Sequence, residues 1–272
     1  MKAIAKKVWC HLSLTDEERR YVKDVRSSDA LDVDTFSDLV KHVAYISYHN
    51  PEFSLFFRAQ DEDYRTRDGS SSLYPSIYRS LPTTSRHNSL TNRFNTLQRA
   101  EEALAAQFVT QRFLGRAKIE KFREVRWALL QHYSVCRTPL LDVTHSLRVA
   151  CSFAMDAGED QAYVFVLGFP HVSGSISYSV EEELLNVKLL SICPPRAIRP
   201  YFQEGFLVGS FPSSEVTRSE QLDVARRLIA KFRLNITTFA DRNFTPIPHE
   251  TLYPSNDQMK RVCDRIRAAS IK

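Results

Sequence analysis

The chain has 272 residues, of which 43% are hydrophobic, 25% charged and 11% aromatic, and its formal net charge is +5 at pH 7. This composition predicts a protein with a sizeable core, and the small positive excess permits a phosphate-bearing partner without requiring one. No apolar run is long enough to cross a bilayer, and no apolar stretch follows the basic first residues, which argues against membrane insertion and secretion.

The cysteines also argue against secretion and against structural zinc. They are scattered, with no CxxC pair and no Cys/His cluster at metal-ligand spacing. Dispersed cysteines in odd number predict reduced thiols, and therefore a cytoplasmic protein without a metal site. The cysteines are Cys10, Cys136, Cys151, Cys193 and Cys263.

The first quarter of the chain predicts an extension followed by a helix and a strand. Residues 1–34 are charged and weakly patterned, and we expect them to pack on a domain formed by residues 35–272. Thr35 can cap a helix with an apolar stripe that ends before Asn50 and Pro51. The next segment, 54–60, is apolar at first and polar at its end, which predicts a strand.

The middle of the chain predicts helices. A polar loop over 61–72 leads to an apolar segment, 73–79, that returns to the core. Residues 91–133 carry apolar residues at helical spacing, and Gly115 is expected to divide them into two helices.

The second half predicts strands, because apolar runs rich in β-branched and aromatic residues occupy 162–167, 187–192 and 201–208. Amphipathic segments near 221–233 and 256–268 close the chain. Helices in the first half and strands in the second predict an α+β fold, with a helical N-terminal half packed on a mixed or antiparallel sheet.

Residues 132–154 predict a short strand that leads through a polar turn into a helix. Pro139 ends the preceding helix, and apolar residues recur at helical spacing again after Ser146. Asp142, Thr144 and His145 gather at the turn between them. Asp142 or Thr144 can cap the new helix, and exposed helix N-termini also suit anionic ligands. Whether Asp142 is only a cap stays open.

Arg58 and Gln60 lie at the end of the first predicted strand and share one face of it, because side chains alternate along a strand. A guanidinium at this position can bind a pyrophosphate or a carboxylate with two hydrogen bonds, or it can form an ordinary surface salt bridge.

Two later places also combine polar side chains with apolar support. His132, near a helix end, can act as an acid or base, or can pack against a backbone carbonyl. In the predicted strand 201–208, Gln203 and Glu204 point to opposite faces, so only one of them can reach a given pocket.

In this order, these segments resemble the FRG domain family, which is named for a Phe-Arg-Gly motif. That motif stands here as Phe57-Arg58-Ala59-Gln60, with alanine in place of glycine. The other matching segments are Leu73-Tyr74-Pro75-Ser76-Ile77-Tyr78-Arg79, Gln131-His132-Tyr133, Leu140-Leu141-Asp142-Val143-Thr144, and Arg199 with Gln203 and Gly205. The resemblance covers about residues 35–268.

The resemblance implies an architecture like that of the ADP-ribosyltransferases. Those enzymes hold NAD between an arginine at the end of an early strand, a polar strand-to-helix turn and a late acidic residue. Carried over by position, it implies catalytic roles for Arg58, His132, Asp142 and either Gln203 or Glu204. It also implies cofactor contacts from Arg58, Gln60, Arg79, Thr144 and His145.

Whether Gln203 or Glu204 occupies the position of the late acidic residue bears directly on catalysis. Cleavage of the glycosidic bond of NAD develops positive charge on the ribose, which a hydrogen-bonded carboxylate stabilises. Glutamine makes the hydrogen bond but carries no charge. Transfer is therefore expected if Glu204 occupies the position, and slow or absent turnover if Gln203 does. The motif favours Gln203, and the chemistry favours Glu204.

Three functions follow as expectations. The first is an NAD-using, ADP-ribosyltransferase-like effector that modifies a protein or nucleic acid, in phage defence or as a toxin. The second is a nucleotide- or nucleic-acid-binding module without turnover. The third is a metal-independent nuclease that uses His132 with a carboxylate. The sequence identifies neither the target nor the oligomeric state.

Overall fold

A mixed β-sheet forms the centre of the fold. The structure, a computed structural model, describes residues 1–82, 84–156, 160–171, 173–195, 197–211, 222–240 and 244–270. Within these ranges the sheet has eight strands in the order β1-β8-β4-β2-β3-β7-β6-β5, in which β1 and β8 are parallel and the other neighbours antiparallel. The strands are β1 Leu31–Val33, β2 Ser54–Gln60, β3 Leu141–Thr144, β4 Gln161–Phe169, β5 Ile176–Ser179, β6 Leu184–Lys188, β7 Gly205–Ser210 and β8 Leu228–Asn235.

Helices lie between the strands and along the chain ends. In the described residues, most helical residues belong to five elements of ten residues or more, and the rest are short segments of four to six residues. The helices are α1 Ser13–Asp16, α2 Val22–Ser27, α3 Phe36–His49, α4 Arg86–Thr110, α5 Arg116–Lys121, α6 Arg123–His132, α7 Leu147–Asp156, α8 Leu189–Ile192, α9 Arg199–Gln203, α10 Ile236–Phe239, α11 His249–Leu252 and α12 Gln258–Ser270.

The sheet separates two apolar layers. Phe56 of β2 packs in the layer that includes α4, α6 and α12, whereas its neighbours Leu55 and Phe57 pack in the layer that includes α3 and α7. β4 alternates in the same way, with Phe165 in the first layer and Val164 in the second. Because both faces are covered, the central strands are continuously apolar rather than alternating.

The structure confirms the α+β class and several predicted elements. Thr35 caps α3, since its side chain accepts a hydrogen bond from the Asp38 backbone N–H. The predicted strand 54–60 is β2, the run 162–167 lies within β4, and Gly115 separates α4 from α5. A further break at Phe122 separates α5 from α6. The tail segment 256–268 corresponds to α12.

Two predicted strands are wrong in part. The run 187–192 is the end of β6 followed by the single turn α8. The run 201–208 begins inside α9, and its strand starts only at Gly205. Short apolar runs do not distinguish a strand from a buried helical turn, and Pro200 favours a helix start because its missing N–H costs nothing there.

The chain ends contribute to the same sheet. The amphipathic segment 221–233 begins at Gln221, outside the described residues, and continues as a 3-10 turn, Val224–Arg227, and β8. From the expected N-terminal extension, β1 pairs with β8. The division into extension and domain stays a prediction. None of the helices in the described ranges has the length and apolar character needed to span a membrane.

Candidate functional site

A fork in the sheet creates the candidate site. β2 pairs with β4 along its whole length, but in the described residues it pairs with β3 at Phe57 and Thr144. Beyond that pair the two strands separate. Arg58 bridges the gap, because its Nη1 donates to the Asp142 backbone oxygen at 2.8 Å, a carbonyl that a continuous ladder would have satisfied.

A cavity of about 260 Å³ opens at this fork. Its walls come from β2, β3, the end of α6, α7, α9 and the segment after α11. It brings together Arg58, His132, Asp142 and Gln203, which are far apart in the chain, together with Thr144. The lining residues are Phe57, Arg58, Ala59, Gln131, His132, Ser134, Asp142, Val143, Thr144, Ala150, Phe153, Leu189, Arg199, Gln203, Gly205 and Tyr253.

Arg58 is a half-buried cation with unused hydrogen-bonding capacity. Burial lowers the pKa of its guanidinium to about 10, although the charge of Asp142 raises it. The group therefore stays positive at neutral pH. Its Nε is buried without a partner in the described residues. Such an orphaned donor in a cavity wall is suited to an anionic ligand.

Asp142 is held by Gln131 rather than serving as a helix cap. Its Oδ2 accepts from Gln131 Nε2 at 2.6 Å, and Gln131 Oε1 in turn accepts from the Thr138 hydroxyl at 2.6 Å. The expectation that Asp142 or Thr144 caps α7 is wrong: Ser146 Oγ accepts the Val149 N–H, and Thr144 Oγ1 accepts only the Ser146 N–H.

His132 lies at the end of α6 and is 3% exposed. Burial, with a smaller contribution from the charge of Arg199, lowers its pKa well below the usual value for histidine. The ring is therefore neutral at pH 7, and its Nε2 is buried without a partner in the described residues. A neutral imidazole in this setting hydrogen-bonds a ligand and holds no charge of its own.

The structure decides which of the two late residues reaches the cavity. Both belong to the end of α9, not to a strand, so the expected alternation of faces does not apply. Gln203 is buried and lines the cavity, and its Nε2 donates to the Leu252 carbonyl oxygen at 2.7 Å. Glu204 is exposed, ends the helix with a φ of 44° and does not line the cavity. A glutamate at position 203 would have no N–H group to donate to the Leu252 carbonyl oxygen.

Two side chains to which the sequence analysis gave no site role also shape the cavity, although Arg199 belongs to a segment that resembles the family. The Arg199 guanidinium lies 4.5 Å from the Tyr253 ring centroid, and its Nε is buried without a partner in the described residues. The Tyr253 ring also packs edge-on against Phe153 with centroids 6.0 Å apart. The proline that starts α9 was the available signal for Arg199, whereas Tyr253 reaches the cavity only through tertiary packing.

The remaining predicted contact residues lie elsewhere. Gln60 and Arg79 line an adjoining cavity, which shares Arg58 with the first. His145 reaches neither cavity. Its Nδ1 is 3.0 Å from the Leu55 carbonyl oxygen, and its ring packs against two phenylalanines, Phe56 at 3.8 Å and Phe206 at 4.6 Å between centroids.

The buried histidines predict a loss of stability in acid. His11 is also buried, which lowers its pKa to about 4. Since both rings take up protons more readily in the unfolded chain, the free energy of unfolding should fall as the pH drops below about 6.5. Each ring contributes at most about 1.4 kcal/mol per pH unit.

Chemical denaturation between pH 7.5 and 5 measures this effect. We expect His132→Gln to lose less stability over that range than the wild type, and a matched change at the exposed His87 to follow the wild type. Parallel curves for all three proteins would contradict the assignment of a neutral His132.

One family model matches part of the chain. Residues 54–162 match the model of the FRG domain. This span includes β2, the helices α4 to α6, β3 and α7, and therefore most of the cavity wall. No curated protein and no solved structure matches the chain.

Proposed function

We propose that the cavity at the fork, whose wall lies mostly in the residues that match the FRG domain model, binds an NAD-type nucleotide in an ADP-ribosyltransferase-like arrangement, and that turnover is slow. The observation that carries the proposal is a set of buried polar atoms around one cavity that have no partner within the described part of the chain: Arg58 Nε, His132 Nε2 and Arg199 Nε. Buried polar groups without partners are rare in folded proteins, so several of them around one concave site favour a polar ligand there.

The charge of the wall favours phosphate. Arg58 and Arg199 are the cations that line the cavity, Asp142 is the carboxylate, and His132 is neutral. The net positive charge and the low dielectric of a buried site strengthen hydrogen bonds to an anionic oxygen. Planar guanidinium groups also match the geometry of phosphate oxygens.

The rest of the wall suits a nucleoside. Phe153 and Tyr253 offer aromatic surface for a planar ring such as nicotinamide. Gln203 presents its amide oxygen as an acceptor for a ribose hydroxyl, because its amide nitrogen is committed to Leu252. His132 Nε2 is available to hydrogen-bond a carboxamide or a hydroxyl group.

Slow turnover follows from the presence of glutamine, rather than an acidic residue, at position 203. Transfer requires that the bond between the ribose and nicotinamide breaks, that nicotinamide leaves with the bonding electron pair, and that water or another nucleophile bonds to the ribose carbon. The amide of Gln203 supplies no negative charge to stabilise the positive charge on the ribose. Asp142 is the carboxylate in the lining, which keeps ADP-ribosyl transfer as the second candidate function, with Asp142 as its stabilising group.

Calorimetric titration with NAD and a parallel assay of nicotinamide release test the proposal. We expect saturable NAD binding to one site, with little release of nicotinamide. Rapid release that is lost in Asp142→Asn would favour the second candidate. Absence of NAD binding would contradict both.

A further inference from the structure

The strand β5 forms one edge of the sheet and lacks the features that protect an edge against pairing. No other described strand pairs with it on the side away from β6. Its residues, Ile176–Ser179, include neither a charged residue nor a proline, which natural edge strands commonly use to prevent association. At the opposite edge, β1 is three residues long and carries the exposed, charged Asp32. Of the two edges, β5 is therefore the one suited to pairing.

The register of β5 on β6 shows which of its backbone groups point outward. Residues of an antiparallel pair alternate between those that exchange hydrogen bonds across the pair and those that do not. The Lys188 N–H of β6 donates to the carbonyl oxygen of Ser175, directly before β5, at 2.9 Å. Following the alternation from this bond, Ser177 bonds to β6, whereas the N–H and C=O groups of Ile176 and Tyr178 point away from it. An added antiparallel strand would satisfy these outward groups.

The sequence of this edge is complementary to itself. When two copies of β5 pair antiparallel about a two-fold axis at Ser177, Ile176 of each copy lies opposite Tyr178 of the other copy. These are the residues whose backbone groups point outward, so each such pair exchanges two hydrogen bonds. An aromatic side chain opposite a β-branched one is also a favourable cross-strand pair. Ser175 lies opposite Ser179 in this register, so no like charges meet along the strand.

The side chains of the edge add apolar surface that a second copy would cover. Tyr178 is 44% exposed, and Val180, directly after the strand, is 68% exposed. The Tyr178 ring packs against Phe211 with centroids 4.6 Å apart, which holds it beside the edge. Ile176 is partly buried against the apolar layer that includes α4, α6 and α12. Removing more of this apolar area from water favours association.

We propose that the β5 edge is a homodimer interface, in which β5 of a second copy of this chain extends the sheet antiparallel with Ser177 on the two-fold axis. This inference is independent of the proposed function, because β6 and β7 separate β5 from the fork between β2 and β3. Strands of four residues bury little area. We therefore expect a reversible dimer with a dissociation constant in the micromolar range.

Sedimentation velocity of the full chain over a concentration series tests the inference. Ser177→Lys brings two positive charges together at the two-fold axis, and Ser177→Asp brings two negative ones, so each should weaken dimerisation at least about tenfold. An equimolar mixture of the two variants should dimerise again, because opposite charges then face each other. The matched control is Ser47→Lys on α3, the same change at an exposed serine, which should dimerise as the wild type does.

Hydrogen exchange tests the same interface in the wild type, without any variant. Exchange protection of the Ile176 and Tyr178 backbone N–H groups should rise with protein concentration, and that of Ser177, which already bonds to β6, should change less. A wild type that stays monomeric up to millimolar concentration, or a dimer that Ser177→Lys leaves intact, would overturn the inference. Variants that dissociate but do not recover on mixing would overturn the two-fold register.

Discussion

Replacing Arg58 with alanine is expected to weaken NAD binding about 100-fold. The Arg58 side chain is half-buried, with its Nε enclosed, at the boundary of the two cavities, and loss of one partner from a desolvated charged pair costs several kcal/mol of binding energy. Arg58→Lys keeps the charge but loses the planar fork, so we expect an intermediate loss of about tenfold. Calorimetric titration measures both effects.

The control for Arg58 must remove an arginine elsewhere on the sheet. Arg233 of β8 pairs with Asp32 at the surface, where ion pairs contribute little. Arg233→Ala should therefore bind NAD as the wild type does. Unchanged NAD affinity in Arg58→Ala, with a folded protein, would contradict the assignment of the pyrophosphate to this residue.

Replacing Asp257 with alanine is expected to lower the free energy of unfolding by about 3 kcal/mol. The carboxylate is 1% exposed. Its Oδ2 accepts from the Tyr133 hydroxyl at 2.9 Å and from the backbone N–H groups of Ile198 and Arg199 at 3.0 and 2.9 Å. Its Oδ1 accepts from the backbone of Met259 at 2.8 Å, at the start of α12. Each buried donor left without a partner costs about 1–3 kcal/mol.

Denaturation curves measure this loss, with Asp264→Ala as the control, because Asp264 lies on α12, which begins directly after Asp257 in the chain, in a half-exposed pair with Lys260. We expect Asp264→Ala to change stability by less than about 0.5 kcal/mol. Asp257 also fixes the backbone that carries Arg199, so Asp257→Asn should weaken NAD binding even where the protein remains folded. A wild-type denaturation midpoint for Asp257→Ala would refute this role.

Local chemistry explains which elements the sequence could predict. Thr35 and Asn50 bracket α3 with signals that act over a few residues, and the continuous apolar run of β4 is typical of a strand covered on both faces. The run 187–192 misleads because Lys188 ends β6 and the next apolar turn is helical. Only the pairing of β6 with β7, which depends on distant residues, decides where that strand stops.

The candidate site shows the same difference between what local sequence patterns predict and what contacts between distant residues decide. The resemblance implied catalytic roles for Arg58, His132, Asp142 and either Gln203 or Glu204, and the structure places the first three and Gln203 around one cavity. His145 was grouped with them because it follows Thr144, yet its ring packs between Phe56 and Phe206. A one-residue step past a strand end reverses the direction of a side chain, and the sequence does not state where the strand ends.

Arg199 and Tyr253 could not be placed from sequence for a related reason. The buried carboxylate of Asp257 ties the start of α9, which carries Arg199, to the start of α12. No local pattern records such a contact between segments about 60 residues apart in the chain.

The most direct test of the account is a crystal structure of the protein with NAD bound. The account predicts density for nicotinamide ribose in the cavity at the fork, with a phosphate oxygen within hydrogen-bond distance of Arg58 and a ribose hydroxyl next to Gln203. Density for NAD at a different surface, or crystals that take up no NAD at saturating concentration, would contradict it.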